Sequence, residues 1–289
     1  MTLTRETPTT TLPPVDRAPL RRRRRTRALQ QTAAVAVTLF MGLPIYLVGL
    51  AALSSRESLA EFPRSFLPTD LSVETMAAFL GSTGIAPAAV NSLLAGLYTV
   101  FFSLLVGAPG GYALARYAFR GRESYQLVLL LTRALPIVVL SIPLAQVFLA
   151  TGMYDSVAAV VAVHTALALP TTVLITASIF VSVPRDLEEA ALLFGCTRFG
   201  AFRRVVLPLS LPGVAASSIF TFVLSWNEVL AAAVLTLDRR TLPAQVLSSL
   251  RESPLAYRFA GGFALVIPAL LFIFLMRRYL LNMWGSRVG

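Results

Sequence analysis

Asn227 and Glu228 follow Ser225 and Trp226 inside a long apolar run, and His164 and Arg133 lie inside two others. In hydrocarbon an amide or ionisable side chain must face a partner helix, a water-filled cavity or an ion pair, so such residues carry function by default. Two roles are open to Asn227 and Glu228. They line a path for a polar solute, or they bond one helix to another. Trp226 has a further option, packing near an interface, where aromatic side chains gather. His164 is the only histidine and Cys196 the only cysteine. No histidine or cysteine cluster, intrachain disulfide or Cys-x-x-Cys pair can form, and neither a metal site nor a cofactor is expected. A membrane-embedded enzyme would need a nucleophile beside a base, or an acidic metal cluster, and neither is present. The fitting role for His164 is a hydrogen bond to another helix; for Arg133, about two turns inside its span, it is snorkelling to the interface.

These residues depend on the helices that carry them. The chain has a mean hydropathy of +0.73, with 56% hydrophobic and 13% charged residues, which makes lipid the solvent for much of it. Counting apolar runs against the roughly 20 residues needed to cross a bilayer gives about six spans. They lie near Thr32 to Leu53, Val90 to Leu114, Gln126 to Thr151, Val157 to Val181, Gly213 to Leu235 and Phe259 to Leu281. The fold class is therefore all-α and polytopic. The third span carries Pro136 and Pro143, which interrupt the helix ladder and predict a kink. Residues 1–28 read as a disordered basic leader, Pro- and Thr-rich up to Pro19, and residues 29–289 as one membrane domain. The first apolar run is longer than the core of a secretory signal and is read as a membrane helix, despite Ala52 to Ser54.

All 25 basic residues are arginine, and the net charge is +11. Their placement points to lipid rather than nucleic acid. Arg21 to Arg25 and Arg27 precede the first span. Arg116, Arg120 and Arg122 fall in the second-to-third loop, Arg185, Arg198, Arg203 and Arg204 in the fourth-to-fifth, and Arg277, Arg278 and Arg287 at the end. The positive-inside rule then puts both termini in the cytoplasm. Without lysine the chain cannot hold the G-x-x-x-x-G-K-[ST] phosphate loop, so it does not hydrolyse ATP through one.

One polar island breaks the apolar pattern. Residues Glu188 to Gly213 read EEAALLFGCTRFGAFRRVVLPLSLPG. Helix formers run to Phe194, Asp186 and Glu188 suit an N-terminal turn, and Gly195 offers a bend, which predicts a helix, a turn and a second helix. Pro208 and Pro212 lack amide donors and mark the start of the next span. The stretch resembles the EAA motif of ABC importer permeases at Glu189, Ala190, Ala191, Gly195, Val205, Leu207 and Pro208. The resemblance implies that residues 183–208 form a coupling loop docking into a cleft on a separate ATPase subunit. Phe194 departs from the family, which usually has Asp before the glycine.

Further stretches resemble the carbohydrate branch of these permeases. They are Asn91-Ser92-Leu93, which also reads as a helix cap, GGYALARYAFRGR at Gly110 to Arg122, the turn Thr151 to Ser156, Ser225-Trp226-Asn227-Glu228, and Arg240-Thr241-Leu242-Pro243. The resemblance implies an importer subunit for a sugar, oligosaccharide or polyol in a bacterial or archaeal cytoplasmic membrane. Its partners would be a second permease, homologous but different, two ATP-binding subunits and an extracytoplasmic solute-binding protein. The loop Thr236 to Tyr257, with Asp238, Arg239, Arg240, Gln245, Arg251 and Glu252, would reach toward that binding protein. Trp226, Asn227 and Glu228 would lie on the pathway or hold helices together. The alternatives are another small polar solute, such as glycerol phosphate or a polyamine, or an ion-coupled carrier using Glu228.

Overall fold

The computed structural model describes residues 18–60, 66, 67, 70–249 and 253–285. Helix α1 (Ala18–Ala52) reaches back into the stretch expected as a disordered leader, of which residues 1–17 lie outside the described residues. The chain divides after Val48: a first unit ends there, and Gly49–Gly289 forms the second. Helices α2 (Arg56–Ala60) and α3 (Glu74–Leu80) are short, and α4 (Ile85–Arg116) is long. Then come α5 (Arg122–Thr132), α6 (Ile137–Ala150), α7 (Val157–Val181), α8 (Arg185–Leu193) and α9 (Arg198–Ala201). A π-helical turn at Phe202–Val206 leads into α10 (Leu207–Asn227), followed by α11 (Leu230–Leu235), α12 (Leu242–Ser249) and α13 (Leu255–Gly285). No strand occurs among the described residues.

Among the described residues, five helical stretches are long and apolar enough to cross a bilayer, and a sixth results if α5 and α6 count as one. The expected kink in the third span is in fact a break, with α5 and α6 meeting at 89°. Pro136 disfavours helical backbone at Leu135 and stands extended ahead of α6, whereas Pro143 is accommodated inside it. The expected fifth span also breaks. It leaves helical geometry at Glu228, whose backbone is extended. Asn91 and Ser92 are not caps: α4 starts at Ile85, behind Gly84 at φ 88°.

Helices α4, α7 and α10 form the centre of the second unit. Successive α4 positions meet successive α7 positions in the same order, Gly107 against Thr172 and Gly111 against Thr176, so the two run parallel. Small residues allow that approach. A Cβ on Gly111 would lie 2.8 Å from the backbone nitrogen of Ala177, so the helices touch backbone to backbone. Helix α10 runs the opposite way, with Gly213 against Ile179 and Phe222 against Gly96. Large apolar side chains such as Leu97, Phe101 and Leu105 on α4 remain exposed, as bilayer-facing surface requires.

The π turn precedes a proline. The N–H of Leu207 bonds the carbonyl of Phe202, five residues back. Pro208 follows with no N–H to complete an α-type bond, so the ladder has least to lose there.

Candidate functional site

At one end of the centre, α8 is held by a carboxylate. Glu188 is buried, its Oε2 lies 2.8 Å from Arg116 Nε, and its Oε1 accepts the Tyr112 hydroxyl. Arg116 Nη2 also donates to the carbonyl of Val183 at 2.9 Å, which ties α4 to the end of α7. Around this pair lies an aromatic cluster. Tyr112 packs on Phe202 with centroids 4.6 Å apart, and both pack edge-on against Phe180. Adjacent helical residues point about 100° apart, so burying Glu188 turns Glu189 outward. Glu189 is exposed and borders a cleft with Arg116, Tyr117, Arg185, Leu192 and Arg198.

The other motif positions fall around that anchor. Ala190 and Ala191 are half-buried, and the Ala191 carbonyl accepts from Cys196 N–H at 3.0 Å, closing the helix C-terminus. Gly195 sits at φ 86°, the left-handed conformation that glycine adopts without strain. Leu207 packs on the aromatic cluster, and Pro208 is exposed. Leu193 and Phe194 are 89% and 90% exposed, so the residue that departs from the family pattern stands at the tip of the element. Sequence reasoning placed weight on Glu189 and saw in Glu188 only an N-terminal acid. The missed partners, Tyr112 and Arg116, lie on a helix distant in sequence, inside the stretch GGYALARYAFRGR, and nothing local in that stretch pairs them with Glu188.

His164, Ser225 and Glu228, from two of the apolar runs, converge between α7, α10 and α11. His164 is fully buried; its Nδ1 is 2.8 Å from Ser225 Oγ and its Nε2 3.1 Å from Glu228 Oε2. An ionised carboxylate only accepts, so Nε2 carries the proton in this contact. Glu228 also accepts from the N–H groups of Leu230 and Ala231, both at 3.0 Å, and Ala232 at 3.2 Å. Thus Glu228 caps α11 and bonds α7. Trp226 takes the packing role among those open to it: it is 2% exposed, stacks on Phe222 and donates to the carbonyl of Leu265 at 2.9 Å. Asn227 alone of the three is exposed. Arg133 sits at the break after α5 and is exposed.

Glu228→Ala is expected to destabilise the protein by about 2 kcal/mol, because it removes a cap and leaves a buried imidazole donor unpaired. Glu228→Gln keeps an acceptor oxygen and should lose about half as much. Thermal melts of the purified protein in one detergent distinguish these, and equal melting of wild type and Glu228→Ala would refute the capping role.

At the far end from α8, the segment after α11 is fastened to two helices. Asp155, just before α7, accepts from the N–H groups of Leu237, Asp238 and Arg239 at 2.8, 3.1 and 3.0 Å. Burial pushes this carboxyl up, but the amides of Arg239, Leu237 and Asp238 and the charge of Arg239 outweigh it and hold it below its usual value. Asn91 Nδ2 donates to the carbonyl of Arg240 at 3.1 Å, and Leu242 N–H donates to Ser92 Oγ at 2.7 Å. Asp238 and Arg239 are exposed, Arg240 and Gln245 are half-buried, and Arg251 and Glu252 lie outside the described residues.

Residues 107–281 match the family model of the binding-protein-dependent transport system inner membrane component. The chain is 31% identical to the diacetylchitobiose uptake system permease protein DasC of Streptomyces coelicolor, over 84% of this chain and 91% of that one. It is 29% identical to the trehalose transport system permease protein SugB of Mycobacterium tuberculosis, over 85% and 92%. Among solved structures, a bacterial ABC transporter involved in the import of the acidic polysaccharide alginate shares the fold. Its TM-score is 0.68 at 20% identity, covering 89% of this chain and 97% of that one. With the family model spanning more than half of its length and such relatives nearly all of it, the chain belongs to the binding-protein-dependent transport system inner membrane components, the multi-pass permease subunits of ABC importers.

Proposed function

We propose that this permease forms, with a second and homologous permease, the pathway by which a sugar, oligosaccharide or polyol enters the cell. The permeases named for diacetylchitobiose and trehalose, aligned over 84% and 85% of the chain, support that substrate class. Two ATP-binding subunits would lie on the cytoplasmic side, with both termini, and a solute-binding protein outside. The observation that carries the mechanism is the division of labour on α8. Glu188 fastens the helix to the bundle, while Glu189 and the turn at Gly195 stay free for a partner. A push on α8 from a closing ATPase then reaches α4 through a buried ion pair rather than through a flexible loop. Ala190, Ala191, Leu207 and Pro208 shape that element, and Asn227 is the residue free to meet solute. Glu228 is engaged by three amides and His164, which weakens the case for an ion-coupled carrier that would need it free.

The test is ATP-dependent uptake by the assembled importer in vesicles, across labelled sugars and polyols, for the wild type and Glu189→Ala. The expected result is uptake of one carbohydrate class, lowered at least about tenfold in the variant while assembly is retained. Undiminished uptake by Glu189→Ala would remove α8 as the coupling element.

A further inference from the structure

Helix α11 is six residues long, too short to hold its own geometry in isolation. A carboxylate caps its start, and a backbone amide and a hydroxyl fasten its end. Glu228 caps the first turn, as described above. Beyond the last turn, the Asp155 N–H donates to the carbonyl of Leu235 at 3.0 Å, and the Tyr154 hydroxyl donates to that of Val234 at 3.1 Å. The Asp155 carboxylate then gathers the next amides, those of Leu237, Asp238 and Arg239, onto a single oxygen. Three consecutive N–H groups converging on one point form an anion nest. Here the anion is the chain's own.

The arrangement has a backbone cost. Asp155 stands at φ 55° and is the one non-glycine residue with positive φ among the described residues. Aspartate tolerates that conformation better than most residues, but not freely. Strain of this kind persists where its surroundings impose it, and it points to a use for the side chain so placed. The beneficiary is the segment 236–241. Its far foot is tied by Asn91 and Ser92, and its crest exposes Asp238 and Arg239, one charge of each sign.

We propose that Asp155 is a positioning residue for docking of the solute-binding protein. It holds the backbone of Leu237 to Arg239 in one arc, so that Asp238 and Arg239 meet a protein surface of complementary mixed charge without first being ordered. A loop already ordered spares the complex the entropy of ordering it, which raises affinity without any new contact. This inference rests on the reading of the loop as the binding-protein contact. Its effect belongs to the affinity of docking, not to the maximal rate of the importer.

Binding-protein-stimulated ATP hydrolysis by the whole reconstituted importer, titrated with binding protein, tests it with two replacements at one position. Asp155→Asn keeps an acceptor oxygen and tolerates positive φ, and is expected to raise the half-saturating concentration about threefold. Asp155→Gly relieves the backbone but removes the acceptor, and is expected to raise it about tenfold or more. In both, the maximal rate should stay within about twofold of wild type, because docking affinity alone is changed. A glycine variant with wild-type half-saturation overturns the proposal, since Asp155 would then serve only its own backbone. A reduced maximal rate with unchanged half-saturation also overturns it. If the glycine variant fails to assemble, the asparagine variant decides by the same two readouts. The double reversal Asp238→Arg with Arg239→Asp separates the underlying reading. Weakened docking there with a silent Asp155→Gly removes only the role of Asp155, whereas undisturbed docking in the reversal removes the loop as the contact.

Discussion

Replacing Glu188 by alanine is expected to free α8 from the bundle and abolish ATP-coupled uptake. Arg116 would be left in a buried position without its carboxylate, and breaking a buried pair in this way costs about 3–5 kcal/mol. Its bond to the Val183 carbonyl offsets only part of the loss. Tyr112→Phe removes one hydrogen bond to the same carboxylate and should cost about 1 kcal/mol, leaving uptake near wild type. The pair Glu188→Leu with Arg116→Leu removes both charges and should recover the assembly lost by the single variant, because matched apolar replacement of a buried pair is often neutral. Uptake should stay low in the double variant, since the rigid link from α8 to α4 is gone. Melting and initial uptake rates of the four importers give the answer. A Glu188→Ala importer that melts and transports as wild type would show that the packing of Phe202 and Val206 suffices to hold α8.

The second large effect is expected at Gly111. Its Cβ would lie 2.8 Å from the nitrogen of Ala177 and 2.9 Å from the carbonyl oxygen of Val173. Backbone atoms in a helix cannot step aside as a side chain can, so Gly111→Leu must push α4 and α7 apart. Overpacking of this kind costs about 3 kcal/mol, and the yield of assembled protein should fall severalfold. The neighbouring glycine makes the control. A Cβ on Gly110 would meet Val173 Cγ2 at 3.5 Å, an ordinary contact, and Gly110→Ala should be neutral or stabilising by about 0.5–1 kcal/mol. Size-exclusion profiles and melts of both variants check this. Equal loss from both would mean that the α4–α7 approach is not the limit.

How far such features can be read from sequence depends on the range of the interaction. The limits of α7 follow from its apolar run, which is as long as the helix, Val157–Val181. The turn at Gly195 is equally local, because a glycine closing a run of helix formers needs no distant partner. The break at Glu228 is different. Nothing in the run marks the point at which a carboxylate turns back on its own backbone, and the choice is settled by His164 on another helix. Likewise Pro136 announces a disturbance in the third span, but the angle between α5 and α6 depends on what α6 packs against. The motif named Glu189 without revealing that its neighbour bears the load. That distinction needs Arg116 and Tyr112, far away in the chain and brought close by the parallel packing of α4 and α7.

The π turn at Phe202–Val206 carries one residue more than an α-helix would use over the same path. An α-helix advances about 100° per residue, so that extra residue sets the rotational phase of everything after it. Thr221 and Ser225 on α10 face Thr172 and His164 only at this phase. If the turn tightened to α geometry without compensation, those hydroxyls would swing toward another neighbour, and Glu228 would leave His164 behind. The joint between α9 and the membrane helix thus works as an angular index for the polar face of α10.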